Sequence, residues 1–173
     1  MKQIRIHRQN PLLPKIFTLV DDEDYVWLKK FTWYYYPYKR TSYAKTFIDG
    51  VCIGMHTLIL QPPSKDITVD HKDGDGLNNQ RINLRFANLQ QQRQNKSKHL
   101  NSNSQYKGVY WREDRKYFVT QICINGKQTY IGSFSSEIDA AKAYNKAAKK
   151  YYGEFAKLNV LPEGGAETHG TPN

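Results

Sequence analysis

Two dipeptides constrain most of what this chain can fold into. Asp49-Gly50 and Asn125-Gly126 each lie between two β-prone runs. Asx-Gly is the pair that most readily takes the positive φ angles of a two-residue hairpin turn. Antiparallel hairpins are therefore expected in both halves of the chain. The first is read over SYAKTFIDGVCIGMHTLIL and the second over KYFVTQICINGKQTYIGSF. Between them KSKHLNSNSQ, Lys96 to Gln105, has no apolar period and is rich in Asn, Ser and Lys, as linkers are.

The rest of the pattern fills in around those turns, and the fold class expected is α+β. Ile16 to Val20 reads as a strand. Asp21 or Asp22 then caps a short helix carrying Tyr25, Val26, Leu28 and Phe31, and Gln61-Pro62-Pro63 ends that region. Downstream, YKGVYWR supplies a third strand ahead of the second hairpin. Alternation puts Val119, Gln121 and Cys123 on one face, and Phe118, Thr120 and Ile122 on the other. On the last strand Gln128 and Tyr130 oppose Thr129 and Ile131. SSEIDAAKAYNKAAKKYYG predicts a helix begun by Ser136 with Asp139 and closed by Gly153. Its stripe of Ala140, Tyr144, Ala147 and Tyr151 suits close packing on a sheet. The expected division is a first domain over 1–96, a basic linker over 97–104, a second domain over 105–160 and a disordered tail over 161–173.

Charge narrows the partners. The formal net charge is +10, and 13% of the residues are aromatic, 13 of them Tyr. Cations suit phosphates and rings suit bases, so a nucleic acid is the favoured partner. The basic residues fall in strands and loops, not on one amphipathic helix, which speaks against a membrane-surface role. No apolar run approaches the ~20 residues a membrane span needs, and MKQIRIHRQN has no apolar core of a signal peptide. Cys52 and Cys123 form no CxxC pair, so no structural zinc held by cysteines is expected and no disulfide framework. A reducing cytoplasm is the expected setting, with no obligatory protein partner evident.

The chemistry concentrates in VDHKDGDGLNNQRINLRFANLQQQRQNK, Val69 to Lys96. Cutting a phosphodiester needs a water, a base to deprotonate it and positive charge near the reacting phosphate. Asp70 suits a hard cation, and His71, with an ordinary pKa near 6.5, suits the base. Adjacent side chains in a strand diverge, so the breaker Asp73-Gly74-Asp75-Gly76 must place the pair at a strand end. Asp73 and Asp75 are read as loop-shaping, and His56 as scaffold. Arg85 reaches a phosphate or forms a structural ion pair. Asn88, Gln92 and Asn95 follow i, i+4, i+7 and would share one helix face.

DH-x(11)-N-L-R followed by an amide-bearing helix resembles the HNH endonucleases of the ββα-metal fold, the phage and bacterial homing-type members above all. VDDEDYVWLKKFTW and MHTLIL upstream share that likeness. The resemblance implies that Asp70 is a metal ligand and His71 the general base, with one Mg²⁺ or Mn²⁺ per site. Asn83 would pin the loop and orient the histidine. The second protein ligand of that family lies nine residues later, which here is Gln92, with Asn95 three further on as the alternative.

Residues 105 to 159 resemble the AP2/ERF DNA-binding domain, through YKGVYWR, YIGSF, the AA-x-AY helix and GEFAKLN. That family lays a three-stranded antiparallel sheet, backed by one helix, into the major groove. The implied groove-facing residues are Lys107, Tyr110, Arg112, Gln121, Gln128 and Tyr130. Several arginines of plant members are replaced here, so their target sequence does not carry over. Trp111 and Phe118 are either core or groove-facing. Together these likenesses imply a metal-dependent, homing-type endonuclease acting on double-stranded DNA. One alternative is an AP2-type regulator with an inactive nuclease half, and another is a nuclease without a preferred site. Target sequence, nicking against double-strand cleavage, oligomeric state and an intron-borne or free-standing gene stay open.

Overall fold

A computed structural model describes residues 1–10, 12–39, 41–95 and 103–162. The expected linker falls mostly, and the expected tail almost wholly, outside the described residues. The chain divides into two compact units, Met1–Asn95 and Lys96–Asn173, both mixing helices with small antiparallel sheets.

In the first unit β1 (Lys2–Ile6) pairs antiparallel with β2 (Ile16–Val20), placing Ile4 opposite Thr18 and Ile6 opposite Ile16. Ile4, Ile6, Thr18 and Val20 are buried, as alternation along a two-stranded ribbon requires. α1 (Asp22–Leu28) follows, then the sheet of β3 (Tyr34–Tyr38), β4 (Thr41–Ile48) and β5 (Val51–Gly54) in that order. Asp49 and Gly50 take φ of 50° and 78° at the β4–β5 turn, the left-handed pair that Asp-Gly was expected to supply.

The core gathers Ile6, Val20, Leu28, Trp33 and Met55, none more than 2% exposed. Each side chain of this size contributes roughly 1.5–3 kcal/mol by leaving water. Trp33 satisfies its indole by donating to the Leu28 carbonyl at 2.9 Å.

Several expectations need correction in this unit. The first helix, α1, ends at Leu28, short of Phe31. MHTLIL does not continue the hairpin but forms α2 (Met55–Leu60). Met55 and Ile59 are buried four residues apart, a helical spacing, and a short apolar run leaves strand and helix indistinguishable in sequence. Asp21 does occupy the cap position of α1, but its carboxylate makes no cap bond. It accepts instead from the Arg81 backbone N–H at 2.8 Å and the Gln80 amide at 3.4 Å. Asp24, 1% exposed, takes the Arg81 guanidinium through two bonds of 2.8 Å. The acidic start of α1 thus braces the chain just ahead of Asn83.

In the second unit β8 (Val109–Arg112), β9 (Tyr117–Ile124) and β10 (Lys127–Phe134) form one antiparallel sheet with β9 central. α4 (Glu137–Tyr152) packs on it, with Ile122 in a cluster with Tyr144, Ala147, Ala148 and Tyr152. Thr120 donates to the Ala140 carbonyl at 3.0 Å. Ser136 caps α4 by accepting from the Asp139 N–H at 3.3 Å, and Gly153 ends it at φ 54°. The helix stripe ends on Tyr152, not Tyr151. The Tyr152 hydroxyl donates to the Cys123 carbonyl at 2.6 Å and is drawn onto the sheet, while Tyr151 stays exposed. Gly108 shows why the helix can lie so close. At φ 76°, a Cβ there would meet the Tyr144 ring at 2.1 Å.

Candidate active site

β6 (Thr68–His71) and β7 (Leu84–Ala87) form a hairpin in which Asp70 faces Arg85 and His71 faces Leu84. α3 (Leu89–Gln94) follows at once. Asn88 is not on the face of this helix, contrary to expectation. It is the N-cap, and with Gln91 it completes a reciprocal capping box. Two amides then remain to reach the hairpin, and they go to different places. Gln92 donates to the Thr68 hydroxyl at 2.7 Å. Asn95, at the C-cap and buried, donates to Asp70 Oδ2 at 3.0 Å and to the His71 carbonyl at 2.8 Å.

Asp70 also accepts from Arg85 Nε at 3.1 Å and Nη2 at 2.9 Å. Arg85 is only 8% exposed, so this pair lies inside the unit and is not a surface contact. Of the two roles open to Arg85, the structure shows the ion pair.

His71 is 5% exposed, at the end of β6. Its Nε2 lies 3.1 Å from Asn79 Oδ1. The amide orientation of Asn79 follows from its other neighbours. Thr18 Oγ1 spends its hydrogen on the Leu77 carbonyl at 2.7 Å and accepts from Asn79 Nδ2 at 2.8 Å. The Asn79 oxygen therefore faces His71, and Nε2 carries the proton. That leaves Nδ1 with the free lone pair. Burial pushes the His71 imidazole below its ordinary pKa, against the pull of Asn79 and of Asp73, Asp70 and Asp75. The ring is neutral near pH 7.

The loop between the strands is tied down by its own polar groups. Asn83 accepts from the Asp73 N–H at 3.1 Å, and donates to Asp73 Oδ1 at 3.0 Å and to the Asn78 carbonyl at 2.8 Å. Asp73 and Asp75 accept from the N–H groups of Asp75 and Leu77, bonds that shape a turn. His56 stacks edge-on to His71 at 5.0 Å and near Tyr43 at 5.4 Å. Burial, with His71 nearby, drives its pKa down to about 3.

Among the described residues no cluster of three or more His, Cys, Asp or Glu is placed to hold a metal. The oxygen donors at hand are different: the Asp70 carboxylate and the Oδ1 of Asn95, whose Nδ2 donates to Asp70 at 3.0 Å. One or two such oxygen donors, completed by water and phosphate oxygens, suit Mg²⁺ or Mn²⁺.

In the second unit, register puts Tyr110 beside Val119, Gln121 beside Tyr130 and Gln128 beside Cys123. Tyr110, Arg112, Gln121, Gln128 and Tyr130 therefore share the sheet face opposite α4. Arg112 also pairs with Asp114 through two bonds of 2.8 Å. Lys107 stands apart from these five. Its ammonium lies 5.9 Å from the Tyr144 ring, and burial beside Lys157 lowers its pKa to about 8. Trp111 packs against Phe118 at 4.7 Å, on the helix side.

Two curated proteins resemble this chain. An uncharacterized HNH endonuclease of Acanthamoeba polyphaga mimivirus is 38% identical over 109 residues, covering 62% of this chain and 55% of the relative. Dehydration-responsive element-binding protein 2C of Arabidopsis thaliana is 45% identical over 60 residues, covering 34% of this chain and 17% of the relative. The chain thus spans about half of the first relative's length and a small part of the second's. No protein-family model matches, and no solved structure matches.

Sequence reasoning passed over Asn79 and Thr18. Asn78-Asn79 reads as part of a polar turn, and Thr18 as one residue of a strand 61 positions away. Only the fold joins them to His71. No helix among the described residues is long and apolar enough to cross a membrane.

Proposed function

We propose that this chain is a metal-dependent DNA endonuclease of the homing-endonuclease type. In this reading the first unit hydrolyses a phosphodiester, and the open sheet face of the second holds double-stranded DNA. The observation that carries the reading is the convergence of β6, β7 and α3. They hold the Asp70 carboxylate by a 3.0 Å hydrogen bond from the buried Asn95 amide nitrogen, one residue from a histidine whose own partner fixes its free lone pair. The likeness to an HNH endonuclease and to a plant element-binding protein supports it.

His71 Nδ1 takes a proton from a water as its oxygen attacks phosphorus. The P–O3′ bond breaks and leaves a 3′-hydroxyl and a 5′-phosphate. Asn79 keeps Nε2 protonated throughout, so the ring presents the same nitrogen to each water. Asn83 acts one step back by fixing the loop that follows His71. Asp70 and Asn95 would hold the divalent cation, with Gln92 the next amide in reach of the hairpin. A cation bound there supplies positive charge to the phosphate and to the departing oxygen. Arg85 keeps the Asp70 carboxylate in place. Tyr110, Gln121, Gln128 and Tyr130 would meet the groove, a setting in which amides read base edges and rings pack against them.

One observation favours a second reading, a DNA-binding regulator with an inactive nuclease half. His71 is 5% exposed and Asp70 is already paired with Arg85. Supercoiled plasmid separates the two. With Mg²⁺ or Mn²⁺ the protein should nick or linearise it, and a chelator should stop this. No conversion with either metal, by the wild type or by Gln92→Asn, would leave the regulator.

A further inference from the structure

The sheet of β3, β4 and β5 has one face in the core and one face in solvent. Tyr35, Ala44 and Thr46 turn inward. The register of Tyr34 with Lys45 and Tyr36 with Tyr43 puts these four, with Tyr38 and Phe47, on the outer face. Tyr34, Tyr36, Tyr38 and Phe47 are 45%, 48%, 54% and 61% exposed. A hydrophilic protein seldom lines up this much ring surface without a partner.

Two features say what that partner is. The first is charge. Lys45 seats its ammonium 4.1 Å from the Tyr36 ring centre, and Lys39 lies 5.5 Å from that of Tyr38. Cations interleaved with rings match a phosphate backbone carrying bases. The second is spacing. Tyr34, Tyr36 and Tyr38 alternate along one strand, so their rings recur about every 6.8 Å, twice the rise per residue. Bases in a duplex recur about every 3.4 Å along each strand. Stacked base pairs cannot set one base on each ring. An extended, unpaired strand can, since unstacking roughly doubles the distance between bases.

The face also leads to the candidate catalytic residues. Tyr38 lies 6.2 Å from Tyr43, and Tyr43 lies 5.9 Å from His71. We propose that this face is a platform for unpaired DNA, taking one base on each of Tyr34, Tyr36 and Tyr38 beside the scissile phosphate. The inference rests on the nuclease reading for its choice of DNA, and it names the form of substrate that reading leaves open: a single strand or a locally melted duplex.

Binding by the full-length protein in chelator tests it without cleavage. Fluorescein-labelled probes would be one 30-mer as a single strand, as a duplex, and as a duplex with a four-nucleotide bubble. The wild type should bind the bubble, whose arms still offer the second unit a duplex, more tightly than the fully paired probe, and should hold the single strand through the tyrosines. Tyr36→Leu/Tyr38→Leu should lose that preference, by about tenfold or more per ring removed from contact with a base, with an unchanged melting temperature. Equal wild-type affinity for the bubble and the duplex would overturn the proposal. So would a variant that weakens every probe alike, or one that abolishes a dimer in sedimentation and leaves bubble binding intact. Bubble preference without plasmid cleavage would uphold the platform while removing the nuclease.

Discussion

The two units handle polar groups in opposite ways. Around His71 the first unit buries them and interlocks them: Asp70 with Arg85 and Asn95, His71 with Asn79, Asn83 with Asp73. The second unit buries apolar and small residues under α4 and leaves Tyr110, Gln121, Gln128 and Tyr130 on an open sheet face. A group that must hold one geometry during a reaction gains from a packed setting that fixes it. A group that must meet varied base edges gains from exposure. In the proposed reading the contrast separates cutting from holding.

It can be broken first at the buried ion pair beside His71. Asp70→Ala removes the carboxylate paired with Arg85, which is 8% exposed, and breaking a buried ion pair costs about 3–5 kcal/mol. Chemical denaturation should show the first unit weakened by that order, with the second unaffected. Asn79→Ala comes next. It removes the partner of His71 Nε2 and leaves Thr18 Oγ1 without the amide, at about 1–3 kcal/mol for buried polar groups left unmade. Cleavage should fall more than stability explains. The ¹⁵N shifts of His71 in the metal-free protein should move from one tautomer to a mixture.

Acid should separate the units further. Both His56 and His71 sit below their ordinary pKa in the fold, His56 at about 3. A histidine held neutral contributes stability that is complete above the unfolded value near 6.5. That stability is lost as pH falls toward the folded value, at up to about 1.4 kcal/mol per pH unit for each group. Residues 103–162 contain no histidine. Between pH 7 and pH 5 the first unit should lose denaturant resistance while the second holds, as hydrogen exchange would report. The smallest effect on folding belongs to Gln121→Ala/Tyr130→Ala, within about 0.5 kcal/mol as for open surface positions. Duplex affinity should nonetheless drop about tenfold or more.

Much of this was legible in the sequence, for reasons that vary by residue. The Asx-Gly turns were readable because so few pairs take positive φ twice. The sheet face of Gln121, Gln128 and Tyr130 was readable because alternation is a local rule, whereas Tyr110 and Arg112 came only with the AP2/ERF likeness. The hairpin carrying Asp70 and His71 followed from a spaced motif. What escaped was set by tertiary contact. Asn79 matters through Thr18, 61 residues away. Asp21 looked like a helix cap and instead accepts from the Arg81 N–H, while Asp24 takes the Arg81 guanidinium. The two amides Gln92 and Asn95 looked interchangeable on a helical wheel. The helix ends at Gln94, and Asn95 turns at its C-cap onto Asp70. Lys107 sits one turn before a strand whose register was readable, yet it folds over Tyr144, because Gly108 brings the chain against α4.

The division of labour itself is tested most directly by His71→Ala, measured for duplex binding in chelator and for plasmid cleavage with Mg²⁺. Full affinity with cleavage reduced at least about a hundredfold, the scale of a lost general base, is the outcome predicted. Cleavage at the wild-type rate would contradict it.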